Sequence, residues 1–360
     1  MENKDKVLEN IDSINYISRI KLISYPDKSE FSKKEKIKKI LNKVIGRSQK
    51  AEGFSWHNAF LAQSLEYAHK YNSSKEDLDS LIEYYNRWYE KGTPIDNLDN
   101  VMNGMSLIYV FNQTKNDKYK EMVEILVNFI IDHKKDRLNS LPYRPNSSYS
   151  IFIDSLGMIS PFLAYYGKIT KDAKMIDLSV AQLNNFIEYG FDSNQNLPYH
   201  AYTLNYEEKK GIIGWGRAVG WLMIGIIDTL EHLEPSHLEY EKLNAKFNEL
   251  TITVLKYQKK NGAFSWQLQA LEGMNDSSAT AMIGYSIIKA IKLGVVDSRY
   301  LLNVEEMINF LLSVTAEGYV MESSAECLGL GMYPQRQGWY PWSQGPTGSL
   351  LSIYMSMMDK

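Results

Sequence analysis

The chain has 360 residues, of which 44% are hydrophobic and 23% charged, so it can bury a sizeable core, and a disordered, fibrous or small disulfide-stapled protein is excluded. Its 40 basic and 43 acidic residues leave a net charge of −3, and no block of like charges is long enough to bind nucleic acid or a membrane surface. We therefore expect neither of these partners.

The first repeating feature along the chain is a set of segments with apolar residues at the spacing of an amphipathic helix. In one of them, Leu81, Tyr85 and Trp88 fall on one helical face. The six segments of this kind cover residues 36–45, 78–89, 122–130, 176–187, 243–257 and 301–311. We predict an amphipathic helix at each.

Between these segments lie six others that are apolar on nearly every face, a pattern typical of buried helices. They cover residues 60–68, 101–111, 155–167, 218–230, 279–294 and 349–358. The alternation predicts six helical hairpins whose buried members form an inner ring. We expect one domain over residues 1–360, with 1–30 as a candidate N-terminal extension. An irregular helical bundle is the alternative, since alternation alone does not prove that a ring closes.

In such a ring all inner helices point the same way, so the residues at their amino-terminal ends meet at one mouth. These residues are His57, Asp99, Asp154, Trp215, Arg217, Asp276, Trp342 and Gln344. The predicted mouth is thus aromatic and contains carboxylates and an arginine.

Asp154 is the most informative of these residues, because it lies within the apolar and aromatic run of residues 149–158. Burial among apolar groups favours the protonated form of a carboxyl group, and a carboxyl group that keeps its proton near neutral pH can act as a general acid. Alternatively, Asp154 caps a helix, a position that aspartate often occupies. The same two interpretations apply to Asp99.

Trp215, Arg217 and Trp221 lie together in the segment GWGRAVGW, residues 214–221. Tryptophan rings can stack on sugars, and arginine binds carboxylates through two hydrogen bonds. Alternatively, both tryptophans belong to the core and Arg217 pairs with an internal acid. His200 lies between aromatic residues and is either a site residue or a packed polar side chain.

Several other classes of chemistry lack their motifs. The sequence has no glycine-rich phosphate loop, no GxSxG elbow and no HExxH pair, and its single cysteine, Cys327, cannot form an internal disulfide. We expect no metal and no cofactor. The first 20 residues lack the apolar stretch of a signal peptide, so we expect a cytoplasmic protein.

Five motifs, taken in order, resemble a known family. They are FIDSLGMISPFLAYYGKITKD, LPYHAY, GWGRAVGW, ECLGLGMYP and WSQGP, and the resemblance covers the chain from about Trp56 onward. Together they resemble the unsaturated rhamnogalacturonyl hydrolases of glycoside hydrolase family 105, which are related to the unsaturated glucuronyl hydrolases. The resemblance implies an (α/α)₆ barrel, in agreement with the helix count.

The resemblance also implies a function. Family members remove an unsaturated uronic acid from the non-reducing end of small oligosaccharides that polysaccharide lyases produce, by hydrating the double bond between C4 and C5. It implies that Asp154 is the catalytic acid and that Asp99 is a second acid near the water. The implied substrate-binding residues are His200, Trp215, Arg217, Trp221, Tyr143, Phe152, Met158 and Trp342. The oligomeric state is left open.

The sequence departs from the family pattern at three places. Phe152 stands where tryptophan is frequent, Tyr143 and Arg144 where a histidine is expected, and Ala218 with Val219 where an asparagine is usual. Two other functions therefore stay open. One is a non-catalytic carbohydrate-binding toroid, and the other is hydrolysis of a saturated glycoside by a pair of acidic residues.

Overall fold

A computed structural model describes residues 2–26, 51–144, 149–204, 208–327, 329–333 and 336–359. The helices of these ranges form an outer and an inner ring. The outer helices are α1 (Glu2–Ser24), α3 (Lys75–Glu90), α5 (Asp117–Asp132), α7 (Ala173–Tyr189), α9 (Tyr240–Leu255) and α11 (Leu301–Ser313). The inner helices are α2 (Trp56–Asn72), α4 (Gly104–Thr114), α6 (Asp154–Thr170), α8 (Gly216–Leu230), α10 (Ser277–Lys292) and α12 (Pro341–Met358).

The two rings differ in burial as the sequence predicts. Outer helix α3 buries Leu81, Tyr85 and Trp88 on one face, whereas every residue of inner helix α8 is buried. Side-chain caps fix several helix starts, for example Ser74 at α3 and Asp276 at α10. The six inner helices and five of the outer ones are confirmed. The helix predicted for residues 36–45 lies outside the described residues.

The ring closes where the last inner helix, α12, packs along the first, α2. Helix α1 packs against both, so residues 2–24, which lie within the candidate extension 1–30, form the first outer helix. The side chain of Gln344 joins these parts: its Nε2 donates to the carbonyl oxygens of Ile14 at 3.1 Å and Gly318 at 2.8 Å. The predicted (α/α)₆ barrel is confirmed, and the irregular bundle is excluded.

Short strands lie in the connections at one end of the barrel. Strand β4 (Ala201–Thr203) pairs antiparallel with both β1 (Ile151–Phe152) and β5 (Glu208–Lys210). Three further antiparallel pairs are β2 (Phe191–Asp192) with β3 (Leu197–Pro198), β6 (Thr315–Ala316) with β7 (Tyr319–Val320), and β8 (Ser323–Ser324) with β9 (Gln337–Gly338). These pairs fix the path of the connections in which they lie.

None of the helices in the described ranges combines the length and the apolarity needed to cross a lipid bilayer.

Candidate active site

A cavity of about 370 Å³ opens at the end of the barrel where the inner helices begin. Its lining residues come from the amino-terminal ends of α2, α6 and α8 and from the connections that carry the short strands. They are Trp56, Tyr143, Arg144, Phe152, Asp154, Met158, His200, Trp215, Arg217, Glu326, Cys327 and Gly329. Most of the predicted site residues therefore meet at one place.

Asp154 is the first residue of α6, and its side chain is 16% exposed. The N-cap position belongs to Ile153, so the carboxylate is directed elsewhere: its Oδ2 lies 3.0 Å from Nε2 of His200. A backbone hydrogen bond from Ile153 N to His200 O, at 3.0 Å, holds the two segments together beside the β1–β4 pair. The structure thus couples Asp154 to His200.

His200 is enclosed on several sides. Its Nδ1 lies 2.8 Å from the hydroxyl of Tyr333, and its ring packs against Trp215 at 4.5 Å and edge-on against Phe152 at 5.3 Å between ring centroids. Burial raises the pKa of Tyr333 to about 12, so this hydroxyl keeps its proton at neutral pH. Asp154, His200 and Tyr333 therefore form a continuous chain of hydrogen bonds.

Asp99 lies behind the cavity wall, in a 3₁₀-helix (Leu98–Asn103). Its carboxylate accepts a hydrogen bond from the hydroxyl of Tyr143 on Oδ1 and one from Arg144, at 3.0 Å, on Oδ2. Burial, with the nearby carboxylate of Asp99, raises the pKa of Tyr143 well above its usual value. Asp99 thus acts as an acceptor that fixes two cavity-lining side chains.

Arg217 is buried, and its hydrogen bonds go to neutral groups. Its Nη1 donates to Ser278 Oγ at 3.3 Å and to Ser324 Oγ at 3.0 Å, and its Nη2 donates to the carbonyl of Ala325 at 3.1 Å. Both serine hydroxyls in turn donate to the carboxylate of Asp276, at 2.6 Å. Among the described residues, Arg217 forms no ion pair with Asp154 or with Asp99.

Trp221 and Trp342 do not line the cavity, although the resemblance implies that both bind the sugar; for Trp221 the alternative, a place in the core, agrees with the structure. Trp221 lies in the second turn of α8 and stacks on Phe60 at 4.7 Å. Trp342 donates its Nε1 hydrogen to the carbonyl of Ser324 at 2.9 Å. Its ring packs against that of Trp56, with 5.1 Å between the ring centroids. The two rings support the wall from behind, and Trp56 takes the inner position.

Sequence reasoning missed several lining residues. Trp56 begins α2 in the segment FSWHN, and Glu326 and Cys327 lie in the motif ECLGLGMYP. The side chain of His57 turns to the rim, where its Nε2 lies 3.8 Å from a carboxylate oxygen of Glu326. The position of Trp56 at the start of an inner helix could have identified it. Arg144 was marked only as a departure from the family pattern, without a role in the site.

The polar side chains that line the cavity are suited to proton transfer. Within the described ranges, no group of three His, Cys, Asp or Glu side chains has the arrangement that holds a metal ion. A half-buried carboxylate, an imidazole and two arginines face the space between aromatic rings. Such a site can bind an anionic ring and exchange a proton with it.

Comparison with known sequences gives a family match. A sequence profile described as Glycosyl Hydrolase Family 88 matches residues 29–350. Among curated proteins, unsaturated rhamnogalacturonyl hydrolase YesR of Bacillus subtilis is 20% identical over 267 residues, which are 72% of this chain and 77% of that protein.

Solved structures share the fold. A Salmonella enterica protein described as a possible member of glycoside hydrolase family 105 superposes with a TM-score of 0.85 at 17% identity, over 99% of this chain and 95% of that one. The unsaturated glucuronyl hydrolase of Bacillus sp. GL1, described as responsible for the degradation of glycosaminoglycan, gives 0.72 at 13% identity, over 99% and 97%. At these identities the likeness concerns the fold.

Proposed function

Because the chain belongs to glycosyl hydrolase family 88, we propose that it removes an unsaturated uronic acid from the non-reducing end of oligosaccharides that polysaccharide lyases produce. The reaction is hydration of the double bond between C4 and C5 of that sugar. The observation that carries the proposal is the 3.0 Å contact between Asp154 and His200 in a cavity with aromatic walls and two arginines.

Asp154 performs the proton transfers in this proposal. It donates a proton to C4, which leaves a positive charge shared by C5 and the ring oxygen. A water molecule then adds to C5 and gives one proton back to Asp154. The resulting hemiketal opens to a ketone at C5, and the hemiacetal at C1 releases the linked sugar as an alcohol. No protein nucleophile at C1 is needed, unlike in a retaining glycosidase.

The positive charge that develops at C5 needs a compatible environment. A nearby carboxylate and the faces of aromatic rings stabilise positive charge in a site with little water. Asp154 supplies the carboxylate after it has given up its proton, and Trp215 and Phe152 supply rings on either side of His200. The same groups therefore serve the acid step and the intermediate.

We assign the carboxylate of the substrate to Arg144. The Nη1 and Nη2 atoms of Arg217 already donate to the segment 324–325, so its geometry is fixed by the protein. The side chain of Arg144 is 42% exposed, lines the cavity and packs over the ring of Tyr143 at 4.2 Å. Its Nη2 also donates to Asp99 at 3.0 Å, and because a guanidinium has five N–H donors, Arg144 can bind a substrate carboxylate as well.

The name of the Bacillus subtilis relative supports a rhamnogalacturonyl product as substrate. The three departures from the family pattern, at residues 143–144, 152 and 218–219, favour testing glucuronyl products as well. The purified protein is mixed with a panel of lyase-generated unsaturated disaccharides, and the ultraviolet absorbance of the conjugated alkene is followed. Loss of absorbance with at least one product is expected.

The panel also separates the alternatives. Saturable sugar binding without any product in chromatography of a long incubation would identify a carbohydrate-binding toroid. Release of sugar from a saturated glycoside, with the alkene untouched, would identify an ordinary glycosidase. Either result would reject hydration of the double bond.

Asp154→Asn tests the acid. The amide cannot donate a proton of comparable acidity, so turnover should fall by at least about a hundredfold while the fold is retained. Asp172→Asn is the matched control, because Asp172 also stands at a helix start but caps α7 outside the cavity. Retained activity in Asp154→Asn would remove this residue from its assigned role.

Arg144→Met tests the binding of the carboxylate. A hydrogen-bonded charge pair of about 1.5–3 kcal/mol is lost, so kcat/KM should fall roughly tenfold to a hundredfold, chiefly through KM. Initial rates over a range of substrate concentrations measure the change. An unchanged KM would show that the carboxylate binds elsewhere.

A further inference from the structure

We propose that Tyr333 is a positioning residue that holds the imidazole of His200 in the tautomer with its hydrogen on Nε2, so that Asp154 carries its transferable proton on Oδ1. The second half of this inference rests on the proposed function. The first half concerns only the hydrogen-bond chain and can be tested without a substrate.

Two arrangements of a neutral His200 fit the distances. In one, Tyr333 donates to Nδ1, at 2.8 Å, and Nε2 donates to Oδ2 of Asp154, at 3.0 Å. In the other, Nδ1 donates to the Tyr333 oxygen, and a protonated Asp154 donates to Nε2. The heavy atoms occupy the same positions in both, so the choice depends on the other partners of Tyr333.

The hydroxyl oxygen of Tyr333 already accepts a hydrogen bond from the backbone, because the amide of Ile212 donates to it at 3.3 Å. A phenol hydroxyl has one hydrogen, and accepting a hydrogen bond makes it a stronger donor toward a second partner. We assign that role to the contact with Nδ1 of His200, at 2.8 Å, so that Nδ1 lacks a hydrogen.

The backbone is shaped to allow this contact. Gly211 has a φ of +81°, and a side chain there would collide with the Tyr333 hydroxyl and with the Cβ atom of His200. The ring of Tyr333 also packs edge-on against Trp215 at 5.4 Å. The position of the hydroxyl is therefore set by the amide of Ile212, by the space at Gly211 and by the indole ring of Trp215.

The tautomer decides where the proton of Asp154 resides. When Nε2 donates to Oδ2, the acid proton occupies Oδ1, from which it can pass to C4 of the substrate. After the transfer, the carboxylate keeps its hydrogen bond from Nε2, and the attacking water returns a proton to Oδ1. In the opposite tautomer the proton lies on Oδ2, between Asp154 and His200, and does not face the sugar.

The test is a long-range proton–nitrogen NMR spectrum of the full-length protein labelled with ¹⁵N-histidine, without substrate. Comparison with His200→Gln identifies the His200 signals. At neutral pH we expect a protonated Nε2 and an unprotonated Nδ1. A hydrogen on Nδ1, whether in the opposite tautomer or in a doubly protonated ring, would overturn the proposal.

Tyr333→Phe removes the donor and should produce a population with hydrogen on Nδ1. Tyr143→Phe is the matched control, since it removes a phenol hydroxyl from the same cavity without contact to His200. In this variant the tautomer of His200 should be the same as in the wild type. A spectrum of Tyr333→Phe identical to the wild type would overturn the role of Tyr333. If Tyr333→Phe does not fold, the wild-type spectrum still decides the tautomer.

Kinetics separate this inference from the proposed function. With an active substrate, Tyr333→Phe should lower kcat roughly fivefold to tenfold with little change in KM, as loss of one neutral hydrogen bond predicts. An unchanged kcat would overturn the link to Asp154. A protein that is inactive on every uronyl product yet shows the Nε2 tautomer would reject the proposed function and leave the hydrogen-bond assignment standing.

Discussion

The guanidinium of Arg217 is enclosed by the protein on nearly every side. Its N–H groups donate hydrogen bonds to Ser324 and Ala325, among others. Its central carbon lies 4.6 Å from the ring centroid of Trp215 and 5.5 Å from that of Trp342. These contacts tie α8 to the segment that begins at β8. Arg217 therefore orders one wall of the cavity in addition to giving it positive charge.

Replacing this side chain by lysine should be costly. Arg217→Lys keeps the charge but loses the forked geometry, and the free energy of unfolding should fall by about 2–3 kcal/mol. Urea unfolding followed by circular dichroism measures the change. Arg87→Lys is the control, because the ion pair of Arg87 with Glu83 is exposed, and it should change stability by less than about 0.5 kcal/mol. Equal stability of the two variants would contradict this account.

Only part of the site could be predicted from single residues. Asp154 and Arg217 stand at the starts of inner helices, so their convergence follows once the helices form a ring. Tyr333 and Arg144 stand in connecting segments, and their places depend on pairings such as that of Ile151 with Tyr202. Periodicity carries no information about such pairings, so neither side chain could be placed.

Inner helices approach each other most closely at glycine. Gly345 of α12 faces the carbonyl oxygen of Phe60 on α2, and a methyl group there would overlap with backbone atoms. Gly157 of α6 likewise leaves room for the ring of Trp221. These contacts set the spacing of the inner ring, including the place where it closes.

Gly345→Ala should therefore destabilise the barrel by about 1–3 kcal/mol, because the backbone of α2 cannot move aside. Gly284→Ala on α10 is the matched control: its new methyl would meet side chains and no backbone, with the tip of Leu350 at 3.0 Å and the sulfur of Met307 at 3.4 Å. Since alanine favours a helix over glycine by about 1 kcal/mol, this control should be neutral or slightly stabilising. Thermal unfolding of both variants measures the contrast, and similar losses in both would contradict it.

At the scale of elements, periodic helices were predictable and short strands were not. Strands of two or three residues contain too few positions for an alternating pattern. Helix α1 is a different case, since Val7, Ile11 and Ile14 are buried at helical spacing. This helical pattern therefore lies within residues 1–30, the candidate N-terminal extension.

The whole barrel has a second polar region at the carboxyl-terminal ends of its inner helices. Lys289 pairs with Asp228 at 2.7 Å and with Glu231 at 2.6 Å, both near the end of α8. His232 stacks on Tyr165 at 4.2 Å, and burial lowers the pKa of His232 to about 3. This end of the molecule therefore holds a histidine that, below about pH 6.5, stays neutral only while the chain is folded.

The stability of the molecule should fall with acid as a result. An unfolded histidine binds a proton near pH 6.5, whereas folded His232 does so near pH 3, so the unfolded state gains the extra proton as the pH falls between these values. The free energy of unfolding should decrease by up to about 1.4 kcal/mol per pH unit in this window. Below about pH 4.5 Glu231 adds to the loss: burial opposes its ionisation, but Lys289 holds its pKa at about 2.

His232→Phe keeps the stack on Tyr165 and removes the titration. Between pH 6.5 and 4.5 its free energy of unfolding should depend on pH less steeply than that of the wild type. Burial also lowers the pKa of His133, so a smaller slope should remain. Urea titrations at several pH values measure both slopes, and equal slopes would exclude His232 as the source.

At the scale of the whole molecule, the number of hairpins was predictable, because an even alternation of helix types runs along nearly the whole chain. The identity of the outer helix that completes the ring was not predictable. That choice depends on contacts such as the one between Ile14 and Gln344, which are far apart in sequence.

The same closure has a consequence for biosynthesis. The side of α2 that packs against α12 has no native cover until residues 73–358 have been translated. At about 5–20 residues per second this takes roughly 15–55 seconds. An unfinished ring on the ribosome would expose this surface throughout, which makes the nascent chain a natural client for a holding chaperone.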